Sequence, residues 1–347
     1  MKKTLIASAI AAATFSGSVL AMDTASDLAE KLSTMPTIYG NIQLAATHTD
    51  IEDGSSEVEH FDNGSTIGIK HDHQIAPGVT AFLKLELEGI DADNKDNEDD
   101  NAGLNELDEA YIGIKGDSFG QIWVGSDDSR YEVLVDGIEE YYEFADLNIG
   151  ADFETGEGDL VQYTSPSFSG LTFHGAVQIN GSGDPQNSAD DNDYPYQLGA
   201  EYSAGILSLA VAMDSNDGSS NAENTYGIQA AANVSQDLNV GALFSTRSAA
   251  DGVIGDGSIG NEFGQDLWGV YARYTMGANL FAISYEYAEA DEDGGLDAEA
   301  TTLTVQALHN VSDNLYVFAE GYLRNDDNID LADKDTTQLA LGAAYLF

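Results

Sequence analysis

The chain has 347 residues, with 61 Asp and Glu against 12 Lys and Arg, a formal net charge of −49 and no cysteine. This charge excludes a nucleic-acid binder, which needs a basic footprint, and the missing thiols exclude disulfide scaffolds, thiolate metal sites and thiol nucleophiles. The hydrophobic share of 42% and the 17 tyrosines are unlike a disordered acidic tail, and with no apolar run near the roughly 20 residues of a spanning helix, only strands could enter a membrane.

The first element is an export signal. Lys2 and Lys3 form a positive start, Leu5 to Leu20 a mostly small and apolar stretch, and Val19 and Ala21 suit a signal-peptidase site. Residues 1–21 are therefore expected to be removed by cleavage after Ala21. Residues 22–36 fit no strand, look weakly helical and read as a lead-in.

From 37 to 347 one pattern repeats without a domain break: about ten residues of alternation, then a turn. Ile38, Gly40, Ile42 and Leu44 oppose Tyr39, Asn41 and Gln43; Ala81, Leu83, Leu85 and Leu87 oppose Thr80, Phe82, Lys84 and Glu86. Phe281, Ile283, Tyr285 and Tyr287 oppose Ala282, Ser284 and Glu286. In the last segment Leu339, Leu341, Ala343, Tyr345 and Phe347 share a face. About sixteen such segments fit the length. Their connections alternate between very short turns and long acidic loops, the latter expected at 48–64, 89–106, 182–193, 214–222, 248–265, 290–299 and 325–335. This predicts an all-β fold, a sixteen-stranded antiparallel transmembrane barrel. A soluble sandwich would not accept Glu86, Glu286, Glu320 and Arg324 on its inner face, and the aromatic residues at strand ends suit membrane interfaces.

Several segments resemble the general porins of Gram-negative outer membranes, sixteen-stranded trimeric diffusion channels. The likeness runs through Thr37-Ile38-Tyr39-Gly40-Asn41, Ser65-Thr66-Ile67-Gly68-Ile69-Lys70, Ala110-Tyr111-Ile112-Gly113-Ile114-Lys115 and Phe119-Gly120. Its most specific part is Tyr163-Thr164-Ser165-Pro166-Ser167-Phe168-Ser169-Gly170, and the terminal Phe347 matches the barrel-assembly signal of such proteins. The resemblance implies a third loop folded into the pore, here 127–157. That loop reads Tyr142-Glu143-Phe144-Ala145-Asp146 where the family has Pro-Glu-Phe-Gly-Gly. Glu143 matches the acidic eyelet residue, Glu139 falls on a second acidic position, and Asp146 lies beside them. The family's basic wall positions fall on Asn41, Thr66, Asp108 and Gly156, none of them basic. Lys84, Lys115, Arg130, Arg273 and Arg324 are the cations that could restore a positive wall.

These features predict a passive, cation-preferring diffusion channel for ions and small hydrophilic solutes, since fixed charge at a low-dielectric constriction sets selectivity. The resemblance implies a homotrimer in outer-membrane lipid and lipopolysaccharide, with no catalytic residue and no cofactor. Runs such as 91–100 and Asp291-Glu292-Asp293-Gly294 have oxygen ligands for Ca²⁺ or Mg²⁺ but match no complete calcium loop, and hydration of the surface is their simpler role. His71 and His73 would share a face on a strand but lack a third ligand, and they read as exposed turn histidines. One alternative is a solute-specific channel, with Tyr316, Phe318 and Tyr322 beginning a lumenal track. Others are a rim-active barrel enzyme, which lacks a Gly-x-Ser-x-Gly segment, and an exported β-adhesin.

Overall fold

The computed structural model describes residues 35–90, 92, 106–138, 141–151, 153, 155, 157–179, 194–217, 223–248, 264–290, 298–327 and 334–347. The expected signal peptide, nearly all of the 22–36 lead-in and most of the acidic runs at 91–100 and 291–297 lie outside these residues.

The strands are β1 (Thr37–Ile51), β2 (Ser56–Asp62), β3 (Ile67–Ala76), β4 (Val79–Glu88), β5 (Glu106–Gly116), β6 (Gly120–Ser126), β7 (Leu160–Thr164), β8 (Leu171–Gln178) and β9 (Tyr196–Ala204). They continue with β10 (Leu207–Asp214), β11 (Thr225–Asn233), β12 (Leu238–Arg247), β13 (Gln265–Met276), β14 (Asn279–Ala290), β15 (Glu299–Asn310), β16 (Leu315–Asp327) and β17 (Lys334–Leu346). A single short helix, α1 (Arg130–Val135), stands between β6 and β7 among the described residues. The seventeen strands form one sheet. Because β2 and β3 both pair with β1, on successive halves of its length, they make one interrupted stave and the barrel has sixteen. It closes where β17 pairs antiparallel with β1, from Asn41 opposite Leu346 to Ile51 opposite Thr336. Phe347 adds a last reciprocal pair with Gly40, at 3.0 and 3.2 Å. Closure leaves no unpaired edge, which a lipid environment requires.

The period of two decides which side chains face lipid. On β14, Phe281, Ile283 and Tyr285 are exposed, while Ala282, Ser284, Glu286 and Ala288 are buried. On β17, Leu339, Leu341 and Tyr345 are exposed, while Gln338, Ala340 and Ala344 are buried. The outer surface is therefore an apolar band and the inner one is polar, the reverse of a soluble protein.

One expected loop is not a loop. Residues 48–64 were expected to form a long acidic connection; instead β1 and β2 continue as a hairpin, with His48 opposite Val58 and Asp50 opposite Ser56. Only 52–55 turn, with Asp53 at φ 54°. The segment SEVEHFD is polar on both faces and mostly exposed, so hydrophobic alternation gives no sign of it. His71 and His73 lie on β3, with rings 6.0 Å apart, and not in a turn.

Candidate functional site

The long connection 127–159, between β6 and β7, is held by inward-facing side chains from around the barrel. It begins at α1. Ser129 caps the helix by accepting from Glu132 N at 3.4 Å. Gln197 of β9 accepts from Arg130 N and Tyr131 N at 2.7 and 3.2 Å and donates to Ser129 Oγ and Asp214 Oδ2 at 2.7 and 2.8 Å. One strand residue thus satisfies helix N–H groups that have no partner within the helix.

The apolar side of the segment is set into the wall. Tyr131, Leu134 and Val135 cluster with Ala212, and Ile138, Tyr142 and Ile149 with Leu243, Leu267 and Tyr271. Glycines make the room. A Cβ at Gly199 would stand 2.2 Å from Leu134 Cδ1, one at Gly227 would stand 2.5 Å from the Tyr131 hydroxyl, and one at Gly269 would stand 2.5 Å from Ile138 Cδ1.

Farther along, Glu320 of β16 is the main anchor. Its carboxylate accepts from Glu143 N at 2.6 Å, Phe144 N at 3.1 Å, Gln306 Nε2 at 2.7 Å and the Tyr322 hydroxyl at 2.5 Å. The Tyr322 hydroxyl in turn accepts from Ala145 N at 2.9 Å. Ala145 has φ 53°, the left-handed region that normally favours glycine. This chain keeps that conformation without a glycine because Tyr322 holds Ala145 N and Asn148 N bonds to Ala145 O at 3.0 Å. Thr302 donates to Leu147 O at 2.7 Å, Gln265 to Gly150 O at 3.2 Å, and Thr155 Oγ1 to Asp214 at 2.6 Å.

Of the expected acids, Glu143 and Asp146 are described. Glu143 Oε2 accepts from the Tyr316 hydroxyl at 2.7 Å and from Gln43 Nε2 at 3.2 Å. Burial pushes its carboxyl above the usual carboxylate range, and Glu320 adds to the shift; the Tyr316 and Gln43 bonds oppose it. Asp146 is exposed and accepts from Gln338 at 2.9 Å. Glu139 and Gly156 lie outside the described residues.

Asp108 sits in a bulge of β5, since Glu86 pairs with Glu109 and Leu87 with Leu107. There Glu86, Asp108 and Glu109 bring carboxylate oxygens within 4.8 Å of one another, and Glu109, Asp127 and Asp128 do the same. These are the described oxygens able to share a cation, and Lys84 already supplies one: its Nζ pairs with Glu109 and lies 3.6 Å from Glu86. Burial, and then Asp128, pushes the Asp127 carboxyl up, against the pull of Arg130. Asn41 and Thr66 are neighbours, with Thr66 N donating to Asn41 Oδ1 at 3.3 Å.

The remaining cations are engaged locally. Arg130 lies 3.8 Å from Asp127, Lys115 bonds both Asp72 oxygens at 3.0 and 2.8 Å, and Arg324 pairs with Asp326 at 2.9 Å. Arg273 lies 5.3 Å from the Tyr141 ring centroid. Tyr316, Phe318 and Tyr322 do face inward, but Phe318 and Tyr322 are buried, the latter under the 127–159 segment. Sequence reasoning missed the anchoring roles of Glu320, Gln197 and Asp214. Their only local signal is an inward position.

A closed barrel, apolar outside and charged within, defines a transmembrane channel. A family model described as Gram-negative porin matches residues 7–329. Among curated proteins, the "Monosaccharide porin" of a Halomonas species and the "Major outer membrane protein" of Halomonas elongata are each 29% identical, over all of both chains. Among solved structures, OmpF of Salmonella typhi in complex with daunomycin has a TM-score of 0.69 at 18% identity, covering 90% of this chain and 97% of that one. The anion-selective porin of Comamonas acidovorans has 0.67 at 16%, covering 90% and 99%. The trimer form of Vibrio cholerae OmpT has 0.65 at 13%, also covering 90% and 99%. The chain belongs to the Gram-negative porins. It is therefore a channel of the bacterial outer membrane and not a rim-active enzyme.

Proposed function

We propose that residues 127–157 fold into the lumen as the constriction of a passive diffusion channel that passes cations in preference to anions of similar size. The charge inventory carries this reading. Lys84, Lys115, Arg130 and Arg324 each have a carboxylate partner and Arg273 lies against the Tyr141 ring, whereas Asp146 has no cation beside it among the described ion pairs and Asp108 shares Lys84 with two further carboxylates. Four of the five cations that could rebuild a positive wall are thus neutralised locally, leaving acids in excess. Low-dielectric walls focus that excess on the pore axis. The anion selectivity named for the Comamonas relative belongs to the same fold at 16% identity, so the sign is set by wall residues and not by architecture.

The solutes are ions and small hydrophilic molecules. Monosaccharides are among them, following the name of the Halomonas relative. Export with cleavage after Ala21, assembly as a homotrimer and contact with lipopolysaccharide complete the proposal; a trimer form is named for the Vibrio cholerae neighbour. The external acids serve hydration. At ~1 M salt the Debye length is only ~3 Å, so distant charges scarcely steer ions.

The test is the cation-to-anion permeability ratio of Glu143→Gln and Asp108→Asn in planar bilayers. Each is expected to lower the ratio, and the pair to lower it further. Ratios equal to that of the unsubstituted channel would overturn the assignment of these acids.

A further inference from the structure

At the closing seam of the barrel, two wall residues converge on one atom of the 127–159 segment. On the inner face, Tyr316 of β16 and Gln43 of β1 both stand opposite Ala344 of β17, one on each side. Ala344 is fully buried, and its single methyl group leaves the phenol and the amide room to reach toward each other across the central strand. Their tips meet, with the Tyr316 hydroxyl 3.2 Å from Gln43 Oε1. Both also reach Glu143 Oε2, the hydroxyl at 2.7 Å and Gln43 Nε2 at 3.2 Å. Glu143 Oε1 carries no hydrogen bond among the described residues.

The interrupted stave serves the same point. β1 pairs with β3 as far as Gly40 opposite Ile67 and with β2 from Leu44 opposite Asp62, so Gln43 falls at the break. Residues of the break hold its backbone: Gln43 N donates to Ser65 Oγ at 2.9 Å, and Asn63 N donates to Gln43 O at 2.9 Å. Asn63 also donates its side-chain amide to Glu143 O at 2.6 Å. Glu143 N is bonded to Glu320 at 2.6 Å. Glu143 is thus fixed at its nitrogen, its carbonyl and one carboxylate oxygen.

We propose that Tyr316 is the positioning residue of the selectivity acid, holding Glu143 ionised and still, with Oε2 on the wall and Oε1 toward the pore. This rests on the constriction reading and deepens it by naming a residue that sets the charge without carrying any. A phenol suits the task. A hydroxyl proton given to a carboxylate stabilises the ionised form, whereas a lysine or arginine in its place would cancel the charge that attracts cations. The groups facing the carboxylate divide in two. Burial, and then Glu320 of β16, work against its charge; Tyr316, and after it Gln43 and Arg273 of β13, work for it. Asp146 of the same segment is turned to Gln338. Without the phenol proton, burial and Glu320 are opposed by Gln43 and Arg273 alone, and Glu143 takes up a proton more readily.

The experiment is the reversal potential of the reconstituted full channel across a KCl gradient, read as a function of pH, with stepwise conductance reporting a folded pore in each variant. The unsubstituted channel should lose part of its cation preference in a step as pH falls, and Glu143→Gln should remove that step. Tyr316→Phe keeps the ring and should move the midpoint up by about one pH unit. Gln43→Ala should move it up by less, since its contact is longer. Adding Tyr316→Phe to Glu143→Gln should change nothing further, an outcome that a merely structural tyrosine would not give. An unmoved midpoint in Tyr316→Phe would overturn the assignment, and so would an effect of Tyr316→Phe that persists beside Glu143→Gln. If Tyr316→Phe forms no channel, an unmoved midpoint in Gln43→Ala overturns it instead. A profile with no step that depends on Glu143 would overturn the constriction reading, and the role of Tyr316 with it.

Discussion

Replacing Glu320 by Gln tests what holds the 127–159 segment in place. The carboxylate accepts four bonds, two of them from consecutive backbone N–H groups of that segment. A glutamine keeps one acceptor oxygen and turns an NH₂ toward donors. If the oxygen faces Glu143 N and Gln306, then Phe144 N and the Tyr322 hydroxyl lose their acceptor. Hydrogen bonds to charged groups contribute about 1.5–3 kcal/mol each, and the lower desolvation of an amide offsets part of the loss. A net cost of about 3 kcal/mol follows, which raises the detached-to-attached ratio of the segment on the order of a hundredfold. Single-channel recording should show a broader conductance distribution and added current noise. Conductance and noise identical to the unsubstituted channel would refute the anchor.

Three further outcomes follow from the same contacts. Ala145→Gly relieves a left-handed backbone at an alanine and should stabilise the folded channel by about 1 kcal/mol, after allowance for the entropy of glycine; a lower thermal midpoint in detergent would contradict this. Gly227→Val would force Tyr131 and Val135 off the wall, an overpacking cost of about 1–3 kcal/mol, and should expose the 127–159 segment to protease without preventing barrel formation. Burial raises the Glu143 carboxyl, so its charge, and with it part of the cation preference, should be lost as pH falls while ordinary carboxylates are still ionised. The sign for stability is the opposite of a salt-bridged acid. With the folded value above the unfolded one, its protonation adds stability as pH falls. Selectivity measured against pH should therefore decline before unfolding begins; a flat profile down to the ordinary carboxylate range would contradict the placement of Glu143.

The barrel was legible because strand periodicity is short-range. Leu339 to Tyr345 alternate in sequence as they do on the wall, and Phe347 ends the stave that closes the ring. Where both faces are polar the signal vanishes, which is why the hairpin through Ser56–Asp62 was expected as loop. The 127–157 segment is marked in the sequence only by its Glu-Phe motif. Its anchors lie far away in sequence: Ala145 and Tyr322 are 177 residues apart, and Thr302 and Leu147 are 155 apart. No local pattern distinguishes Glu320 from any other inward acid. The spacing glycines are equally silent, because Gly199, Gly227 and Gly269 acquire meaning only once α1 and Ile138 lie over them. The pairing of Lys84 is likewise a matter of register: it meets Glu109 because β4 and β5 align Glu86 with Glu109.

That pairing is the centre of the functional account. A chain with 61 acids could still be anion-selective if its few cations stood free at the narrowest point. The reversal potential of the unsubstituted channel across a KCl gradient reads the net sign directly. A potential on the potassium side of zero, kept at physiological ionic strength and reduced as salt rises, is the predicted result. A chloride-side potential would mean that lysines or arginines dominate the field in the pore despite their carboxylate partners, and would contradict the account.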